Sequence, residues 1–170
     1  MKILTIIGAR PQIIKAAAIS REISKNHSDT IIEIIVHTGQ HYDNNMSNVF
    51  FEELSIPRPN YNLNVGSSSH GAQSARMIEG IEKIINLESP QYILLYGDTN
   101  STLAGAVAAS KLEQSSNGNS RTNIALLDAA MNPLLDLCNG RVDIAIGGLD
   151  CLLTAITIDG AIPVGFDLAI

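Results

Sequence analysis

Three short stretches carry the residue types that could do chemistry. The first is Gly8-Ala9-Arg10-Pro11-Gln12, with Lys15 three residues on. A glycine turn that enters a helix presents unpaired backbone N–H groups, and Arg10 and Lys15 add two cations there, so the stretch could hold a phosphate. A plain turn bearing two solvated cations is an equal alternative, because one glycine without G-x-G-x-x-G or G-K-[ST] is a weak signal. The second stretch is His37-Thr38-Gly39-Gln40-His41-Tyr42-Asp43. It offers hydrogen-bonding groups to a ligand, or is loop polarity with none. The third is Gly97-Asp98-Thr99-Asn100-Ser101-Thr102. Its carboxylate could serve as a helix cap or as an acid or base, and a single Asp does not decide between them.

Each stretch follows an apolar run. Lys2 to Ile7 is too apolar for a half-exposed strand and fits a central parallel strand covered on both faces. Pro11 suits the first helical position, and Ile13, Ala16, Ala17 and Ile23 follow at helical spacing. Ile31 to Val36, broken only by Glu33, reads as a second buried strand, and Tyr92 to Tyr96 as a third. Asp43 would cap a helix with Met46, Val49, Phe50 and Leu54 inside, ended by Ile56-Pro57-Arg58-Pro59. Tyr61 to Ser69 reads as a loop, either a flap or a plain connection. A helix from Ser69 to about Leu87 buries Ile78, Ile81 and Ile85, and Arg76 in its early turns reads first as a surface residue. Leu103, Ala106, Val107 and Ser110 are expected inside the next helix. Strands alternating with helices, with polar residues at each strand exit, predict an α/β fold with a doubly wound parallel sheet, whose ligand crevice lies at the carboxyl ends of the strands.

Composition sets bounds. The 170 residues are 45% hydrophobic, enough for a sizeable core, and the net charge of −6 argues against a general nucleic-acid or anionic-membrane binder. No apolar run approaches the roughly 18 residues of a membrane span and no signal peptide is read, so the expected location is cytoplasmic. Cys138 and Cys151 lack a C-x-x-C pattern and are expected as free thiols. The charge is uneven: residues 1–112 carry nine Lys and Arg against ten Asp and Glu, whereas residues 113–170 carry two against seven. Glu113 to Ser120 is a Ser/Asn/Gly run of linker type. The expected organisation is therefore a domain over residues 1–112, a junction over 113–120, and an apolar, acidic tail over 121–170.

The three stretches, in this order and spacing, resemble the non-hydrolysing UDP-N-acetylglucosamine 2-epimerases over Met1 to about Leu112. The resemblance implies the N-terminal half of a GT-B-type fold, in which UDP-sugar lies between two Rossmann-like domains. It also implies a chemistry: UDP-GlcNAc becomes UDP-ManNAc by elimination and re-addition of UDP, with no nicotinamide, metal or other cofactor, in the service of cell-surface polysaccharide synthesis. Carried over by position, Arg10, Lys15, Gln12 and Thr99 bind substrate and Asp98 transfers a proton. Gln40, His41 and Arg76 match the region where some members hold a second, activating UDP-GlcNAc. A homodimer is a further implication.

The resemblance stops at Glu113, where the family has a further strand and a His-Val-Glu-Ala-Gly-Leu-Arg type segment with another carboxylate. The chain is accordingly expected to be an incomplete epimerase, inactive alone. A non-catalytic UDP-sugar-binding or structural module is the alternative, and a glycosyltransferase-like enzyme is third on fold analogy. In the tail, Asn123 to Leu137 reads as a helix interrupted at Pro133, Val142 to Ile146 as a strand, and Leu152 to Val164 as a hairpin about Asp159-Gly160. The spaced aspartates Asp128, Asp136, Asp143, Asp150, Asp159 and Asp167 suit turns and caps better than a metal repeat.

Overall fold

A computed structural model describes residues 1–39, 51 and 56–110 in full, together with the backbone of 111–112, 123–127 and 144–146. The polypeptide opens with β1 (Lys2–Ile7), α1 (Arg10–Asn26) and β2 (Ile32–His37). It continues through β3 (Tyr61–Asn62), α2 (His70–Glu88), β4 (Tyr92–Tyr96) and α3 (Asn100–Leu112) to β5 (Asn123–Leu127) and β6 (Ile144–Ile146). The described strands are all parallel, in the order β3-β2-β1-β4-β5-β6. That order reverses direction at β1, which places a topological switch point between the exits of β1 and β4.

Alternation along the strands feeds two cores. Ile3 and Ile7 of β1, Ile35 of β2, and Tyr92, Leu94 and Tyr96 of β4 meet Ile13, Ala16, Ala17 and Ile23 of α1, with Phe51 and Ile56. Leu4, Ile6, Ile34, Val36, Ile93 and Leu95 face the other way, toward Met77, Ile81, Ile84 and Ile85 of α2 and the alanines of α3. Both faces of the central strands are therefore covered, as their largely apolar runs require. Each such isoleucine or leucine contributes about 1.5–3 kcal/mol by its burial.

The helices end where local chemistry dictates. In α1 the first helical residue is Arg10 and Pro11 is the second, one place later than expected, and Lys25 in the last turn complements the helix dipole. In α2 the chain stops at Ser89, which takes the left-handed conformation (φ 46°) before Pro90.

Four expectations need correction. Tyr61-Asn62 is not loop: it pairs with Val36 and His37 as an edge strand, too short to show a period of two. In α3 Ser101, Thr102, Ala104, Ala106, Ala108 and Ala109 are buried, while Leu103 is exposed and Val107 and Ser110 only partly covered. The helix lies so close to the sheet that a Cβ on Gly105 would come 2.5 Å from Leu95 Cδ2, and small residues are what fit. On α2, Ile78 is only partly buried, and Met77 and Ile84 take the inner positions beside Ile81 and Ile85. Finally, Asn123–Leu127 is a strand and not the start of a helix, because its apolar run fills the slot beside β4. The strand expected near Val142 to Ile146 is present as β6. The expected helix after Asp43, the 113–120 junction, both cysteines, the hairpin and the tail aspartates lie outside the described residues.

Candidate active site

The exits of β1, β2 and β4 converge on one edge of the sheet. At the first, Gly8 is buried, and a Cβ there would lie 2.1 Å from Thr38 Oγ1 and 2.2 Å from Ser101 Oγ. The expected reason for this glycine was a sharp turn; the structure supplies another, the close approach of two neighbouring turns. Thr38 Oγ1 and Ser101 Oγ lie 2.8 Å apart across it. Thr38 N donates to Ile7 O at 2.8 Å, which carries the β1–β2 pairing one residue beyond the strands. Arg10 and Lys15 stand exposed on the first turns of α1, the end where the helix dipole favours an anion.

Gln12 behaves differently from its cationic neighbours. It is 1% exposed, and its Oε1 accepts from Gly8 N at 2.8 Å and Ala9 N at 3.0 Å. Its Nε2 donates to Tyr96 O at 2.7 Å and to Thr102 Oγ1 at 3.1 Å. Two acceptances and two donations fill the capacity of an amide. The direct substrate contact implied for Gln12 is therefore not what this geometry provides, since no part of the amide is left for a ligand.

The third turn is set by Gly97, whose φ of 68° lies in the left-handed region that glycine enters without strain. It is followed by Asp98, which is exposed. Helix α3 is capped by Thr99, whose Oγ1 accepts from Thr102 N at 3.4 Å and whose carbonyl accepts from Leu103 N at 3.1 Å. Since Thr99 fills the cap, Asp98 is not used in that role, and among the described residues it has no hydrogen bond or ion pair.

A fourth element reaches the same edge. Asn100 Nδ2 lies 3.2 Å from His70 Nδ1 and donates to Gln73 Oε1 at 3.0 Å, which joins the start of α3 to that of α2. Gln73 Nε2 donates to Gly66 O at 2.9 Å, and Arg76, exposed on α2, donates to Val65 O at 3.3 Å. Val65 N in turn donates to Thr38 O at 3.1 Å, so Arg76 is linked to the exit of β2. Gln40 and His41 lie outside the described residues. Sequence reading missed His70 and Gln73 here; a glutamine at an inward helical position was the available signal for the latter.

Away from this edge, Glu33 is largely buried under α1. Thr5 Oγ1 donates to its Oε1 at 2.6 Å and Ser20 Oγ at 3.0 Å, while Oε2 has no partner among the described residues. Burial raises its pKa above the ordinary glutamate value, and the two hydroxyls only partly offset this. Tyr96 is pushed well above the usual tyrosine range, by burial first and then by the Glu33 charge. At the far end of the sheet, Lys2 Nζ pairs with Glu88 Oε2 at 3.1 Å, and Tyr61 OH donates to the same carboxylate. These two bonds, Tyr61's first, hold the Glu88 carboxyl below its usual range. Among the described residues no three His, Cys, Asp or Glu side chains are grouped to hold a metal, and no helix is long and apolar enough to cross a membrane.

Comparisons with known proteins agree with the fold. A UDP-N-acetylglucosamine 2-epimerase family model matches residues 22–114. A UDP-N-acetylglucosamine 2-epimerase homolog of Methanococcus maripaludis is 59% identical over 112 residues, which are 66% of this chain and 30% of that protein. A UDP-2,3-diacetamido-2,3-dideoxy-D-glucuronate 2-epimerase of Pseudomonas aeruginosa is also 59% identical over 112 residues, 66% of this chain and 31% of its own length. The crystal structure of Methanocaldococcus jannaschii UDP-GlcNAc 2-epimerase in complex with UDP-GlcNAc and UDP superposes with a TM-score of 0.73 at 35% identity. It covers 94% of this chain and 44% of that one. The polypeptide thus spans about 30% of the length of these curated relatives, and its sheet is that of the N-terminal half of a GT-B-type fold. With more than half of its residues matched by the family model, the chain belongs to the UDP-N-acetylglucosamine 2-epimerase family.

Proposed function

We propose that this chain is the UDP-binding side of a 2-epimerase cleft, acting on a UDP-2-acetamido sugar of which UDP-GlcNAc is the simplest. The observation that carries this reading is the joining of the β1 and β4 exits at the switch point, with exposed Arg10 and Lys15 on one turn and exposed Asp98 on the other. Cations at a helix start stabilise a departing diphosphate. A carboxylate not consumed as a cap is available to move the proton at C2. Thr99 stands beside it as a further substrate contact, and the reading needs no cofactor. Relatives at equal identity are named for UDP-GlcNAc and for a diacetamido glucuronate, so the substituents at C3 and C6 are left to the test.

In this reading residues 1–112 form the nucleotide-sugar unit, 113–120 the junction, and 121–170 a segment that completes the sheet, as β5 and β6 support. Gln40, His41 and Arg76 form a second, activating UDP-GlcNAc site at the β2 exit, the protein works in the cytoplasm, and it pairs as a homodimer. Titrating the 170-residue chain with UDP, UDP-GlcNAc and the diacetamido glucuronate nucleotide tests the central claim. Saturable UDP binding that weakens in Arg10→Ala and Lys15→Ala is expected. Binding indifferent to both changes would remove the diphosphate site.

A further inference from the structure

We propose that Gln12 is a positioning residue, which holds the cation-bearing turn after β1 and the Asp98 turn after β4 as one rigid frame. The inference rests on the reading that these two turns bind the two ends of a UDP-sugar. Gln12 stands at the third position of α1, where a side chain reaches back to N–H groups that precede the helix, and it does so to both Gly8 N and Ala9 N. The other end of the same amide grips Tyr96 O and Thr102 Oγ1, 84 and 90 residues away. Thr102 Oγ1 donates its own proton to Tyr96 O at 2.7 Å, so it has a lone pair to offer Gln12.

Tyr96 O is the last carbonyl before Gly97 and Asp98, and Ala9 N the last amide before Arg10. The group therefore fixes one turn at the residue before Arg10 and the other two residues before Asp98. Only a side chain with donors and acceptors at one tip can do this: a carboxylate lacks the donors and an ammonium lacks the acceptors. With the frame closed, UDP held at Arg10 and Lys15 sets the distance of the sugar from Asp98. With it open, each turn would meet its own end of the ligand independently.

Amide spectra of the 15N-labelled 170-residue chain during UDP titration test this. In the wild type, signals of Gly8 to Arg10 and of Gly97 to Thr99 should shift together with one Kd. Gln12→Glu keeps the acceptor for Gly8 and Ala9 but, when ionised, sets a negative charge against Tyr96 O. At pH 8 the first group should still shift while the second falls silent, with Kd weakened about tenfold. Lowering the pH to protonate the introduced carboxyl returns one donor and should restore the joint response, whereas the wild type should respond jointly at both pH values. If Gln12→Glu fails to fold, Gln12→Met, which keeps length and volume, should show the same split at a single pH. Joint shifts with unchanged Kd in a folded variant would overturn the proposal, as would an equal loss in both groups without recovery at low pH. No UDP response in the wild type would instead overturn the underlying diphosphate reading, and the proposal with it.

Discussion

Thr38 and Ser101 meet directly over Gly8, their hydroxyls 2.8 Å apart, in the space that any side chain at position 8 would need. Three strand exits are thereby in contact at one point, so what happens at Gly8 reaches the ends of β1, β2 and β4 together. Gly8→Ala should cost about 1–3 kcal/mol, because both hydroxyls are buried and cannot withdraw without breaking their own bond. Urea denaturation of the two chains measures it. A loss under a few tenths of a kcal/mol would show that the turns separate easily.

Glu33 gives a pH-dependent prediction. Its folded-state pKa is raised, so the folded chain keeps a proton that the unfolded chain has released. Stability should therefore fall as pH rises from the ordinary glutamate range, about 4.3, through the raised folded value, and level off above it. Glu33→Gln cannot titrate and still accepts from Thr5 and Ser20. Melting curves taken from pH 4 to pH 8 should show the variant gaining on the wild type as pH increases. Parallel curves would mean that Glu33 is as well solvated folded as unfolded.

A related change concerns Tyr96, whose hydroxyl is fully buried and has no hydrogen-bond partner among the described residues. Tyr96→Phe removes an unsatisfied polar group without altering the ring, and should stabilise the fold by about 1 kcal/mol. Equilibrium denaturation at neutral pH decides this. Destabilisation by a similar amount would imply that the hydroxyl has an ordered water or other partner.

Much of this architecture is legible in residue order because the central strands are largely apolar and each ends in a glycine-containing polar turn. The extents of β1 and β4, and the inner face of α1, follow from that pattern alone. What fails is whatever depends on distance between elements. Leu103 reads as core by its hydrophobicity, yet the approach of α3 to Leu95 admits only small residues, so the leucine is turned out. Gln12 reads as a ligand group because its partners, Tyr96 and Thr102, lie far along the chain and nothing local shows that its amide is already satisfied. Asp98 reads in the sequence as either a cap or an acid or base, and only the geometry gives the cap to Thr99. Tyr61-Asn62 cannot be told from loop because two residues carry no periodicity.

The last prediction separates binding from turnover. Asp98 is exposed on a turn whose cap is supplied by Thr99, so Asp98→Asn should disturb neither α3 nor the diphosphate site, and UDP affinity should change by less than about twofold. In a full-length relative the same change at the matching carboxylate should abolish exchange of the C2 proton, because it removes the titratable group and keeps the shape. These 170 residues contain no His-Val-Glu-Ala-Gly-Leu-Arg type segment, and on their own they are expected to bind UDP without turning over UDP-GlcNAc. A missing acid or base of this kind costs about 10²–10⁴-fold in rate, which would take turnover below detection. Incubation of the purified chain with UDP-GlcNAc in deuterated water reads this directly. Deuterium at C2 above a buffer control, lost in Asp98→Asn, would show that the chain catalyses exchange with groups of its own, and residues 113–170 would then be the place to look for the second acid.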